Sequence, residues 1–194
     1  MKAWHFVGET LRGGAPVPPD GEKLIHTGAL KFCKSGLHAS KDVLDALKYA
    51  PGPTLCRVRL SGLILVSEDK FVASERTIIW RRCVEAELRV FARWCGLSVA
   101  RFWVMSPVVR QYLESGAEDL RALVRKATWA KELNVARSAA WAAAGEVPWD
   151  AAWGAARSAA WAAAGEVPWD VAWGEAWDKA HSAQARKLEA FLGI

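Results

Sequence analysis

The spacing of apolar positions changes near Cys83. Before it, short β-branched and aromatic runs alternate with glycine and proline punctuation, as strands and turns do. The predicted strands are AWHFVG, LIHTGALKFC, TLCRVRLSGLILVS and RTIIWRRCV. Between the second and third lies SKDVLDALKYAPG, which predicts a helix. Ser40 can cap it, Val43, Leu44, Leu47 and Ala50 share one face, and Pro51-Gly52 stops it.

From Glu85 apolar residues recur every three or four positions. EAELRVFARWCGL puts Leu88, Phe91, Ala92 and Cys95 on one face, and PVVRQYLESG opens on Pro107 and stops at Gly116. A longer helical pattern then runs over about 118–144, followed by helices over about 148–164 and 168–192. The last two are set apart by GEVPWD, the one breaker in a repeat: Ala136–Ala155 recurs as Ala156–Glu175, with Val171 and Glu175 standing where the first copy has Ala151 and Ala155. Short connections favour helical hairpins.

Within the repeats Trp149, Trp153, Arg157 and Trp161 fall four residues apart, as do Trp169, Trp173, Trp177 and His181. A continuous indole stripe among alanines predicts helix–helix packing, either as a bundle core or as a surface for homo-oligomer formation. The expected class is therefore α+β: a small N-terminal mixed β-sheet module over 1–84, a helical connecting region over 85–135, and an all-helical Ala/Trp tail over 136–194.

Charge sharpens this division. Residues 1–135 carry 21 Lys/Arg against 14 Asp/Glu, and residues 136–194 carry 5 against 7. The basic part is the front, which suits an anionic partner. No basic run or nucleic-acid signature accompanies the surplus, so DNA or RNA is not the expected partner. No stretch is apolar for the roughly 18 residues of a membrane span, and the first residues lack a signal-peptide core, so a cytoplasmic protein is expected. Cys33, Cys56, Cys83 and Cys95 form no C-x-x-C pair and are expected to be reduced, mostly buried thiols. No spacing of His, Cys, Asp and Glu makes a metal site.

His26, His38 and Glu75 are the polar residues best suited to chemistry, whereas His5 and His181 read as structural. The basic and aromatic residues of the front are the other candidates. His26, His38, Tyr49, Arg57, Arg59, Arg76, Trp80 and Arg82 form the expected ligand-binding set, in which guanidinium groups hold phosphate and rings stack on a base. Each taken alone is also an ordinary packing residue.

The run from Leu24 to Gly62 resembles the core of ADP-ribosyltransferases of the poly(ADP-ribose) polymerase type. His26-Thr27-Gly28 matches the strand whose histidine holds the NAD ribose, Gly36-Leu37-His38-Ala39-Ser40 the strand that stacks on nicotinamide, and Lys48-Tyr49-Ala50 the end of the helix. SERTIIW is similar to the strand opened by the catalytic glutamate, which would be Glu75. His38 stands where that family has tyrosine. The resemblance implies NAD as the cofactor if the protein is an enzyme, with His26, His38 and Glu75 as its catalytic set.

Nearly the whole chain also resembles a group of bacteriophage and prophage proteins, with an N-terminal KAWHFVGETLRGG…GLHAS…ALKYAPGPTLCRV module and a tail of AAWAAA units. That resemblance implies a phage protein acting in host cytoplasm. Its expected role is to bind a nucleotide-like small molecule, such as a cyclic dinucleotide or an ADP-ribose derivative, and so counter host defence. An ADP-ribosyl-transferring or NAD-cleaving enzyme and a factor that inhibits a host protein are the alternatives.

Overall fold

The computed structural model describes residues 1–128, 135–165 and 171–194. The chain divides into two compact units, Met1–Val84 and Glu85–Ile194.

The first unit holds strands β1 (Lys2–Val7), β2 (Lys23–Ile25), β3 (Leu37–Ala39), β4 (Thr54–Val66) and β5 (Phe71–Cys83), with helix α1 (Val43–Leu47). All strand pairings are antiparallel, so the expected mixed sheet is an antiparallel one. β4 and β5 form a long hairpin with β1 on the far side of β4, while β2 and β3 share the other edge of β5. Trp4 and Ser40 exchange two backbone hydrogen bonds of 2.8 Å, joining the end of β3 to the free edge of β1. β1, β4, β5 and β3 thus run round a closed ring, and the exposed edge of β1 is covered at that point. Ala3, Val7, Cys56, Val58, Leu60, Ala73 and Ile78 form its core.

Two expectations move. The run from Leu24 to Cys33 is strand only as far as Ile25, because Lys31 to Ser35 turn back on themselves through mutual backbone bonds of 2.9 Å. Cys33, at the tip, has φ 61, a left-handed conformation that costs a residue with a Cβ about 1–2 kcal/mol. Helix α1 is capped by Asp42, whose Oδ1 accepts from the Asp45 N–H at 2.9 Å, and not by Ser40, whose backbone is committed to β1.

β5 begins at Phe71, five residues before the sequence pattern turns strand-like at Arg76. A bulge at Ser61–Ile64 with Gly62 at φ 68 shifts the register, so that Phe71, Val72 and Ala73 pair with Val66, Leu65 and Ile64. Glu75 consequently lies inside the strand and does not open it.

The second unit is helical: α2 (Glu85–Ser98), α3 (Pro107–Ser115), α4 (Arg121–Thr128), α5 (Val135–Ala143), α6 (Pro148–Ala164) and α7 (Val171–Leu192), with two short 3-10 turns. Gly116 caps α3 at φ 73, its N–H donating to the Tyr112 carbonyl at 2.7 Å. The expected helix over 118–144 is seen as a 3-10 turn, α4 and α5, and its middle, residues 129–134, lies outside the described residues, as do 166–170. The break at Gly145–Val147 is held by Arg89, which donates to the carbonyls of Gly145 and Glu146.

α6 packs against α2, α5 and α7, and what it buries there is alanine. Ala151, Ala152, Ala155, Ala156, Ala159, Ala160 and Ala164 are all buried, whereas Trp149, Trp153 and Trp161 are partly exposed. On α6 the wholly buried seam is therefore alanine, where a bundle core of indoles was one of the two expectations. Small side chains let neighbouring helices approach closely, and Trp161 of α6 meets Trp177 of α7 edge-on at 5.8 Å. Trp169 falls outside the described residues.

Candidate functional site

A cavity of about 690 Å³ lies in the first unit, within the size range of small-molecule sites. Its wall combines Trp4 to Val7 of β1, the loop Thr10–Arg12, the turn at Cys33 and Lys34, all of β3, and Tyr49, Lys70 and Arg76. Four of these residues are cationic at neutral pH, namely Arg12, Lys34, Lys70 and Arg76; none is aspartate or glutamate.

Arg76 is the deepest of the four, 4% exposed. It pairs with Leu60 in the hairpin, so the strand register places a guanidinium where the sheet is otherwise apolar. Nη1 donates to the His38 carbonyl at 2.7 Å, and Nε has no partner among the described residues. Burial pulls its pKa down to about 10. A buried cation with no counter-ion is costly unless something supplies the missing charge.

Two histidines share the cavity wall. Burial, then the positive charge of Arg76 and then His38, hold His5 well below the usual imidazole range. His38 is also lowered, by burial first; the Gly36 carbonyl opposes this, and Arg12, Arg76 and Lys70 add to it. Its ring is fully engaged: Nε2 accepts from the Cys33 N–H at 3.0 Å, which leaves Nδ1 to donate to the Gly36 carbonyl at 3.1 Å. Both bonds require the neutral Nδ1–H tautomer. His38 therefore clasps the turn 33–36 and has no ring nitrogen left for proton transfer. Gly36 sits at φ 108, where an added Cβ would lie 2.4 Å from Val72 Cγ1, so the turn can press onto β5 only with glycine there.

Lys70 and Tyr49 of the wall are tied to Asp69, which is not itself a lining residue and which Lys70 approaches at 3.8 Å. Tyr49 donates to Asp69 Oδ2 at 2.6 Å, and Lys70 Nζ donates to the Tyr49 hydroxyl at 3.0 Å and to Cys33 Sγ at 3.3 Å. Lys48 donates to the same Asp69 oxygen at 3.0 Å.

Of the residues expected from sequence, His38, Tyr49 and Arg76 line the cavity; His26, Arg57, Arg59, Trp80, Arg82 and Glu75 do not. The His26 ring instead meets the Ser35 hydroxyl at 2.9 Å. Arg57 lies over the Trp4 ring at 4.2 Å, and Trp80 meets that ring edge-on at 5.8 Å. Arg59 is exposed on β4, and Arg82 pairs with Leu55 at the hairpin's end. The Glu75 carboxylate accepts from the Ser61 hydroxyl at 2.7 Å and Lys23 at 3.0 Å, which hold it below the ordinary carboxylate range. His26, His38 and Glu75 thus do not converge on the cavity as a catalytic set.

Sequence reasoning missed Arg12, Lys34 and Lys70 and took His5 for structural. Each cation lies in a turn or at a turn's end with no local signal except its charge, and Arg12 and Lys34 are remote in sequence from Arg76. Among the described residues no group of three or more His, Cys, Asp and Glu could hold a metal ion, and no helix is long and apolar enough to cross a membrane. All four cysteines are free; Cys56 and Cys95 are buried, whereas Cys33 and Cys83 are exposed, against the expectation of mostly buried thiols.

Residues 1–89 match a family described as "Domain of unknown function (DUF7666)", a little under half of the chain. No curated protein and no solved structure matches this chain.

Proposed function

We propose that the Met1–Val84 unit binds a small anionic ligand of nucleotide type in the cavity around Arg76. The observation that carries this reading is a buried arginine, 4% exposed, without a carboxylate partner among the described residues, in a cavity whose wall holds three further cations and no acid. A bound phosphate would supply the missing counter-charge through charge-assisted hydrogen bonds. Sequestration of a nucleotide signal, such as a cyclic dinucleotide or an ADP-ribose derivative, follows as the role if the resemblance to phage proteins extends to counter-defence. Binding without turnover fits a His38 ring with both nitrogens engaged.

A thermal-shift series with ADP-ribose, NAD and cyclic dinucleotides tests the reading. A ligand at a hundred times its Kd adds about 2.7 kcal/mol to stability, enough to raise the melting temperature by several degrees. No shift with any of them would remove this reading and leave inhibition of a host protein. ADP-ribosyl transfer or NAD cleavage is the competing activity. Release of nicotinamide from NAD by the wild-type chain, lost in Glu75→Gln, would establish it in place of simple binding.

A further inference from the structure

We infer that Cys33 is a modification site for small anionic disulfides of the glutathione disulfide class, with which its thiol exchanges on the wall of the cationic cavity. Such exchange does not depend on nucleotide binding. Of the two exposed cysteines, Cys33 lines the cavity, and Cys83, at the end of β5, does not. The backbone of Cys33 is held on both sides: its N–H donates to His38 Nε2 at 3.0 Å, and its carbonyl accepts from Arg12 Nη1 at 3.0 Å. Lys70 Nζ, anchored on the Tyr49 hydroxyl at 3.0 Å, donates to Cys33 Sγ at 3.3 Å. A negative charge on that sulfur therefore has an ammonium beside it, and the thiolate is the form that attacks a disulfide.

The same wall selects the reagent. Arg12, Lys34, Lys70 and Arg76 line it without an aspartate or glutamate, and Arg76, 4% exposed, has no carboxylate partner among the described residues. Asp69 lies 3.8 Å from Lys70 Nζ but stands outside the wall and also accepts from Lys48 and Tyr49. Charges of one sign gathered in a concave site raise the local concentration of the opposite sign. The cavity, at about 690 Å³, has room for one half of such a reagent beside the sulfur. In the exchange the Cys33 thiol gives its proton to water, and its sulfur bonds to one sulfur of the reagent as the reagent's own S–S bond breaks. The other half leaves with the bonding pair as a thiolate and takes a proton from water, so that Cys33 is oxidised and the departing half reduced.

Wild-type protein treated with anionic glutathione disulfide or with cationic cystamine, and followed by peptide mass spectrometry, tests this. Each rate at Cys33 is divided by that of the same residue in the urea-unfolded chain, which removes the intrinsic reactivity of the reagent. At low salt the ratio for glutathione disulfide should exceed that for cystamine by about tenfold or more, with Cys33 modified ahead of Cys83. Equal ratios, Cys83 reacting first with glutathione disulfide, or no modification of Cys33 in the folded chain would overturn the inference. In Lys70→Gln the glutathione disulfide ratio should fall by about threefold or more; an unchanged ratio would overturn the part given to Lys70. The nucleotide thermal-shift series reads a separate property, so the two proposals fail independently.

Discussion

Arg76 Nη1 donates to the carbonyl of His38 at 2.7 Å, tying the buried centre of β5 to β3. One residue thereby serves two purposes: it braces the strand that follows the turn 33–36, and it lines the cavity as a buried cation whose enclosed Nε has no partner among the described residues.

Arg76→Gln should separate these purposes. Loss of the cation should weaken ADP-ribose binding at least tenfold, about 1.4 kcal/mol. The unliganded protein should keep its melting temperature within about 5 °C, because relief of an unpaired buried charge offsets the lost bond to His38, each on the order of 1–3 kcal/mol. Titration calorimetry and differential scanning fluorimetry on the same samples check both halves.

Lys34→Ala should act through charge alone, since Lys34 is an exposed turn residue of the wall. Affinity should fall two- to fivefold at 0.1 M salt and hardly at all at 1 M, where the screening length drops from about 10 Å to about 3 Å. An equal loss at both salt concentrations would mean that Lys34 makes a desolvated contact.

Stability should depend on pH in two opposed ways. His5 and His38 have lowered pKa values in the folded chain, so below about pH 6.5 the unfolded chain binds protons that the folded chain refuses. Stability should fall with falling pH there, by at most about 1.4 kcal/mol per pH unit for each proton, and His5→Asn should flatten the slope. Asp45 behaves oppositely. Burial, with the adjoining Asp42, raises its carboxyl to about 7, so its contribution is present at low pH and is lost as pH rises toward and past that value. Asp45→Asn should therefore be more stable than wild type at pH 8 and equal to it near pH 3, as read by urea denaturation.

Ala155→Leu should destabilise the helical unit by about 1–3 kcal/mol, because Ala155 is wholly buried on the packed face of α6 and the added atoms have nowhere to go. Arg157→Ala, two residues on and exposed, should change stability by less than about 0.5 kcal/mol. Comparable losses in both would show that α6 is not held by its alanine seam.

Much of the helical half was legible because helices are local. Pro148 starts α6 and the pattern ends it at Ala164, as the breakers on either side dictate. The repeat pattern also located the tryptophans but not the alanine seam of α6, since periodicity shows which residues share a face and not which face a neighbour covers. Ring size suggested burial; close approach of the axes favoured alanine.

The site was legible only in fragments. His38, Tyr49 and Arg76 stood out as a histidine, an aromatic and an arginine in a basic segment, and they do line one cavity. Arg57, Arg59, Trp80 and Arg82 looked equally good, because strand alternation is interrupted by the bulges at Arg57/Val58 and Ser61/Ile64. A shift of one residue exchanges the faces of a strand, so no count along the sequence could say which arginine turned inward.

By itself the sequence determined an α+β chain with a basic, strand-rich front and an alanine-rich helical remainder, because composition, turn residues and periodicity act over a few neighbouring positions. Only the tertiary structure decided that Arg12, Lys34, Lys70 and Arg76 would share one cavity without an acid, that His38 would be locked as a neutral clasp, and that Glu75 would stay outside. Those outcomes depend on the register of β5 and on the Trp4–Ser40 closure, which join residues far apart in the chain.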